Sequence, residues 1–462
     1  MVGFQKMSNK WWFGFSLAFL SGFMTPPALA AEYEDIFEKS YQPGDPKYDP
    51  RAYSLIKSSG GGYLLTGEIL PGQSFVVKVR PDGQQEWQQI FKGTPVTSEQ
   101  REYAVFDTND GGALAVGTTN SIDIVPIQQD TIERQRSLDG GALHDEFASG
   151  SGPQVGITTA AFAIRLDRTG QVVWKKAYGD LNDRRDISAF VCGTRTEGGV
   201  VLIGTKPRIW FNQPTSDGHA YIEELWIIKV NDRGDVVWET KIAEDRSELL
   251  VPLLKDPPYE SCAAPVVDAQ GNIAFAVHAR YGTSIVRHGH RIVVGQGIKY
   301  NDSHDSKLFV IKLDANGHEL KRLRLESNRG AQLFASFTGY VLLHNMMVGQ
   351  KVSVRQTFLD RNLKIVSQNE IEGFEMRVAV MDRDGGIHLI GFRPGLLLAG
   401  LDAVLAYLRP NGELVGIKTL GRFPSWGEPV ALVTGDSPGE VVLLQSGSDD
   451  HDIKLMKFRF SN

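Results

Sequence analysis

The chain has 462 residues, with 49 Lys and Arg against 55 Asp and Glu, a formal net charge of −6, 49 glycines and only two cysteines. The acidic balance argues against nucleic acid as a partner, and two cysteines are too few for a disulfide-built scaffold. At this length a sizeable core can be buried without such staples.

At the N-terminus, Lys6 and Lys10 precede an apolar stretch at 11–24, and Ala28-Leu29-Ala30 stands just before Ala31. This pattern predicts a secretory signal peptide over 1–30, cleaved near Ala30, and a periplasmic or secreted mature chain from 31 to 462. The apolar run is shorter than a spanning helix requires and no later stretch is longer, so no integral membrane segment is expected after cleavage. No Cys follows the run, which excludes a lipid-anchored start. Losing Lys6 and Lys10 takes the formal charge from −6 to −8.

Beyond the signal a two-part unit recurs. Its first half reads Gly61-Gly62-Tyr63-Leu64-Leu65-Thr66-Gly67 and returns at 111–117, 198–204 and 385–391. Its second half reads Lys78-Val79-Arg80-Pro81-Asp82-Gly83 with Trp87, then Arg165-Leu166-Asp167-Arg168-Thr169-Gly170 with Trp174, then Lys229-Val230-Asn231-Asp232-Arg233-Gly234 with Trp238. Weaker copies fall at 312–317, 359–362 and 407–412. Glycine in the turns supplies positive φ, and alternation such as Val172, Trp174, Tyr178 marks half-buried strands. Each unit predicts four antiparallel strands, one blade of a β-propeller. Trp87, Trp174 and Trp238, each four residues after a turn Gly, are expected to pack between blades.

The blades fall at about 50–93, 100–180, 184–244, 258–326, 330–370, 374–422 and 426–460, which makes seven. The last copy stops one strand short. Phe37-Glu38-Lys39-Ser40-Tyr41 matches the outer strand Trp174-Lys175-Lys176-Ala177-Tyr178, so residues 33–42 are expected to pair into the seventh blade. The fold class is therefore an all-β, seven-bladed propeller closed by its N-terminal strand, with no open sheet edge left in the ring. These residues resemble the secreted bacterial β-propeller repeats with the consensus Gly-Gly-Tyr-x-Leu-x-Gly and Lys-Leu-Asp-x-x-Gly-x-x-x-Trp. The resemblance covers nearly the whole mature chain and implies fold alone. A fainter likeness to pyrroloquinoline-quinone-type repeats rests on Thr169-Gly170 and Trp174, and no quinone is carried over from it.

Successive turn positions, Gly83, Gly170, Gly234, Gly317 and Asn362, are 87, 64, 83 and 45 residues apart, so blades two to four carry the excess. In each the excess lies between the second and third strands, at 117–165, 204–229 and 277–312. Those connections emerge on one face, opposite the glycine hairpins, and long loops on a rigid scaffold are where binding and catalysis reside. Eight of the ten histidines lie on that side: His144, His219, His288, His290, His304 and His451 in the connections, and His278 and His344 at the ends of second strands.

Candidate acid/base residues for an anionic polysaccharide are His144, His219, Tyr221, His278, Arg280 and Tyr281. A His or Tyr would move the proton and an Arg would neutralise the sugar carboxylate. Candidate metal ligands are His288 and His290, alternate residues of one extended segment, with His304 on the returning limb. Imidazoles with a carboxylate suit a divalent metal such as zinc, and the acidic turn at 448–452 is a weaker candidate for calcium. Cys192 and Cys262, before the inner hairpins of consecutive blades, are expected to form a disulfide in an oxidising compartment. No nucleophile elbow, Walker motif or zinc-protease motif occurs. The leading expectation is a monomeric binding module that recognises an envelope protein or an extracellular glycan through the face of blades two to four. The alternatives are a polysaccharide lyase or hydrolase acting through the insertions, and a metal-dependent enzyme at His288, His290 and His304.

Overall fold

The computed structural model describes residues 32–45, 47–69, 73–92, 100–119, 160–179, 188–211, 220–242, 248–252, 265–281, 285–288, 291–294, 307–326, 329–348, 351–394, 401–423, 427–446 and 452–461. Seven small antiparallel sheets form the blades of a propeller, and a separate two-stranded ribbon lies outside them. Among the described residues there is no helix.

From the channel outwards, blade one runs Pro50–Lys57, Tyr63–Ile69, Gln73–Val79 and Gln85–Lys92. Blade two runs Gln100–Asp107, Ala113–Thr119, Ala160–Leu166 and Val172–Tyr178, and blade three Ala189–Thr196, Gly199–Phe211, Ala220–Val230 and Val236–Ile242. In blade four the innermost position is split. Val266–Val267 and Glu248–Pro252 both pair with Ile273–Tyr281, which is followed by Lys307–Leu313 and Glu319–Glu326. Blade five runs Arg329–Ala335, Gly339–Val348, Lys351–Asp360 and Ile365–Glu372, and blade six Glu375–Met381, Ile387–Pro394, Leu401–Leu408 and Leu414–Phe423. Blade seven runs Glu428–Thr434, Glu440–Ser446 and Ile453–Ser461, and its outer strand is Glu32–Tyr41.

The burial pattern follows position in the blade. Second and third strands are covered on both faces by neighbouring blades, so Tyr63–Ile69 and Ala160–Leu166 are buried throughout and read as continuous apolar runs. The outer strand Val172–Tyr178 is exposed or half-buried until Tyr178. Seven buried clusters result, one between each pair of adjacent blades. Val201, Ile227, Phe275 and Ile311 join blades three and four, and Leu405, Val441 and Phe458 join blades six and seven.

The N-terminal strand closes the ring as the sequence predicts. It pairs antiparallel with Ile453–Ser461 in a register running from Glu32↔Ser461 to Tyr41↔Ile453, with a bulge between Asp35 and Phe37. Its ten residues match the expected 33–42 within one position at each end, and its first half places Tyr33 in the interface between blades six and seven.

The recurrent tryptophans clasp blades one, two and three each to the next. The Trp87 indole N–H donates to the Arg168 carbonyl, Trp174 to Asp232 and Trp238 to Ala315, each at 3.0 Å. The rings lie on the next blade's turn glycines, Gly170, Gly234 and Gly317, where an added Cβ would come within 2.8 Å of the indole. These glycines have φ of 83°, 76° and 86°, so both conformation and space require Gly. The closing strand repeats the arrangement: the Tyr41 hydroxyl donates to the Gly83 carbonyl as Tyr178 does to that of Gly234.

Blade four departs from the pattern in an instructive way. Lys321 stands where a Trp would be, and the facing turn of blade five carries Leu363, not a glycine, at φ 59°. The left-handed residue is thus Leu363, one position beyond the Asn362 expected from the sequence. Leu363 is 1% exposed and packs with Leu323, Leu325 and Leu359. Its side chain fills the interface that the missing indole leaves open, and burial of a full Leu outweighs a left-handed penalty of about 1–2 kcal/mol.

Candidate functional site

Two faces of the ring differ in chemistry. On the hairpin face, cations of the third strands meet oxygens of the inner hairpins. Lys312 Nζ lies 2.9 Å from Asp268 Oδ2, which also accepts from the Tyr340 hydroxyl at 2.9 Å. The ammonium and these hydrogen bonds hold the Asp268 carboxyl far below its usual range despite burial. Arg165 and Asp110 pair at 2.5 Å in blade two. In blade seven Lys457 and Arg459 meet Glu440 at 2.8 and 2.7 Å and pull its carboxyl down to about 2, against the opposing effect of burial. These pairs fasten hairpins to strands and leave little open to a substrate.

Blade six replaces the cation with Tyr407, and His388 takes a position that is aliphatic in its neighbours. His388 is 1% exposed, with Nδ1 2.9 Å from the Tyr33 hydroxyl and Nε2 3.7 Å from Asp382 Oδ2. Burial pushes the Tyr33 phenol far above its ordinary range, so the hydroxyl keeps its proton. The rings of Tyr407 and Phe460 enclose the imidazole at 4.7 and 6.0 Å between centroids. This cluster of His, Tyr and Asp is enclosed by packing, and its work is to lock the closing strand to blade six.

The opposite face carries the long connections. Blade three's second and third strands have 13 and 11 residues against seven for each of the equivalents in blade one. They remain paired out to Trp210↔Tyr221 and Phe211↔Ala220, so the connection rises as a β-hairpin. In blade four the connection contains the ribbon Ile285–His288 with Arg291–Val294, in which His288 faces Arg291. The strand Ala220–Val230 runs beside Ile285–His288, so the insertions of blades three and four meet.

Of the expected acid/base set, Tyr221 sits on the raised hairpin of blade three. His278, Arg280 and Tyr281 sit at the end of blade four's second strand, opposite Val251, Leu249 and Glu248. The side chains of these four and of His288 lie outside the described residues, as do His144, His219, His290, His304, the 448–451 part of the acidic turn and Cys262 in full. Among the described residues no group of three His, Cys, Asp or Glu could hold a metal ion, and no helix is long and apolar enough to cross a membrane. Cys192 is described, 5% exposed and packed in the core between blades three and four.

His344, expected at the insertion side, is 1% exposed inside blade five, with Thr357 3.4 Å from Nε2 and no hydrogen-bond partner at Nδ1. Burial first, and the Arg355 charge second, push its pKa down to about 4, so it is neutral near pH 7. Sequence reading did not reach the central channel, whose hairpin-side half encloses about 450 Å³ between the inner strands of all seven blades. The one available signal was Phe337, an aromatic tip on a hairpin whose counterparts are Gly-, Asp- and Ser-rich, and it is 93% exposed.

No family model matches the chain, and no curated protein matches it in sequence. Among solved structures the chain is similar to a protein of unknown function from Bacteroides caccae at 11% identity and a TM-score of 0.24, over 56% of this chain and 89% of that one. It is similar also to a eukaryotic initiation factor at 7% identity and a TM-score of 0.29, over 80% of this chain and 89% of that one. At such scores neither bears on function, and the seven-bladed ring rests on the strand pairing itself.

Proposed function

We propose that the protein is an exported binding module that recognises a protein or glycan of the cell envelope through the face bearing the insertions of blades two to four. The observation that carries this reading is that the raised hairpin of blade three runs beside the ribbon of blade four. Structured connections that meet on a rigid ring supply a continuous recognition surface at low ordering cost. Trp210 and Phe211 lie on the raised hairpin, and aromatic residues of this kind are favoured at interfaces and on sugar rings.

The test is a glycan array and an envelope cross-linking capture with the mature protein, against a variant in which residues 207–223 are replaced by Asn-Gly. Capture by the parent alone, at unchanged melting temperature, supports the reading; equal capture by both overturns it. A polysaccharide lyase or hydrolase is the second reading, favoured by the pairing that gathers His278, Arg280 and Tyr281 at the end of one strand in the same region. Product release from an acidic polysaccharide, lost in His278→Ala, would move it ahead. A metal-dependent enzyme at His288, His290 and His304 would instead show about one equivalent of zinc by elemental analysis, lost in the His288→Ala, His290→Ala double variant.

Export and the Cys192–Cys262 disulfide belong to the same proposal. Intact-mass measurement of the exported protein is expected to give a chain starting near Ala31 and two hydrogens lighter than the reduced form. A chain retaining residues 1–30 would reject export, and two free thiols would reject the bond.

A further inference from the structure

Seven structurally equivalent residues, one per inner strand, form a collar in the hairpin-side half of the channel: Ile56, Phe106, Thr194, Val266, Phe334, Val380 and Val433. Their equivalence follows from pairing, since Ile56 faces Leu64, Phe106 faces Leu114, Thr194 faces Val201 and Val380 faces His388, the same step of each blade. Six of the seven are apolar, and all but Phe106 are only half-buried. Among the described residues none lies inside the inner strands, and the collar lines the open cavity.

The break in the collar is in blade three, and the next residue there is Arg195. Its side chain is 39% exposed, and its Nη1 lies 3.7 Å from Asp107 Oδ2, beyond hydrogen-bond distance. Asp107 is already engaged, accepting from the Ser58 hydroxyl at 3.0 Å and the Ser59 N–H at 2.9 Å. A guanidinium carries five donors in a fork that fits a carboxylate. Of the nearby cations, Lys57 is committed to the Gly435 carbonyl at 2.7 Å and to Asp436 at 2.9 Å, and Lys78 to the Ser58 hydroxyl. The mouth therefore offers Arg195, a positive group without a hydrogen bond to its neighbouring carboxylate, beside the one polar position of the collar. Across the mouth, Phe337 caps the hairpin that continues from Phe334 and is 93% exposed.

We propose that the hairpin-side mouth of the channel binds a linear aliphatic carboxylate, with the alkyl chain inside the collar and the carboxylate on Arg195 and Thr194. The cavity of about 450 Å³ lies in the range of small-ligand sites and corresponds to about fifteen waters. A methylene is about the size of a water, so a twelve-carbon chain fits. The site is on the opposite face from the insertions and is independent of the proposed envelope-binding surface.

The experiment is calorimetric titration of the mature protein with dodecanoate, below its micelle concentration, beside dodecyltrimethylammonium as a tail of equal length and opposite charge. Dodecanoate is expected to bind at one site and at least tenfold tighter than the cation. Arg195→Gln should weaken dodecanoate at least tenfold and bring the two together. Val380→Trp, which fills the collar, should abolish binding at unchanged melting temperature, with Val433→Trp as a second plug if the first variant does not fold. A titration without heat, equal affinity for the cation, or binding indifferent to both the Arg195 change and the plug overturns the proposal.

Discussion

A chain that begins after residue 41, lacking the closing strand, is expected to lose cooperative folding and to aggregate. The strand Glu32–Tyr41 covers the edge of Ile453–Ser461 along its whole length. Tyr33 and Tyr41 are 7% and 6% exposed and belong to two different interblade clusters. Deleting a buried aromatic costs about 3–5 kcal/mol. Two of them, together with the ladder, approach the whole stability of an ordinary domain, about 5–15 kcal/mol. Lys418 adds contacts to the Tyr33 carbonyl at 3.1 Å and to Asp35 at 2.7 Å. An uncovered edge also invites pairing between molecules. Light scattering and the melting curve of the truncated chain check this, and a soluble, monomeric protein with the parent's melting temperature would contradict it. The single change Tyr41→Ala is expected to cost about 3–5 kcal/mol, whereas Tyr33→Phe, which removes the hydrogen bond to His388 and keeps the ring, should cost about 1 kcal/mol.

Acid is expected to weaken the ring through His344 before the carboxylates respond. The folded-state pKa of about 4 lies below the ordinary 6.5, so between those values the unfolded chain binds a proton that the folded chain does not. Stability from this group is present above about pH 6.5, falls as the pH drops, and levels off below about pH 4. At about pH 4.5 the loss amounts to about 2–3 kcal/mol. Arg355, Glu370 and Thr357 are the polar groups that face the imidazole, and only Glu370 favours its charged form. Urea midpoints at about pH 7 and pH 4.5 measure the loss, and His344→Leu should flatten the dependence over that window. An equal decline in the variant would assign the acid response elsewhere. Carboxylates held low by their partners, such as Glu440 and Asp110, both at about 2, contribute only at lower pH.

The two expectations draw on different amounts of sequence information. The closing strand was legible because a five-residue match to another outer strand carries its contact with blade one: Tyr41 reproduces the hydrogen bond of Tyr178. What the match could not give was Tyr33, whose partner lies 355 residues away. Nothing in the repeat distinguishes His388 as that partner, because it occupies an aliphatic position of the consensus. His344 likewise reads as one histidine among several near strand ends, and only packing shows it buried and half-satisfied.

By itself the sequence determined the all-β class, the four-strand unit, the seven-blade count and the closure, since each depends on local periodicity and on turns whose positive φ admits few residues. It also located the excess chain in blades two to four, because spacing between equivalent glycines is a property of the chain alone. Tertiary structure decided how the blades lock, with indoles over turn glycines in three interfaces and Leu363 in the next. It decided too which insertions touch, and which face of each inner strand remains uncovered at the channel. Those outcomes depend on contacts between residues tens to hundreds of positions apart, and a repeat signals its own unit without recording what the next unit places against it.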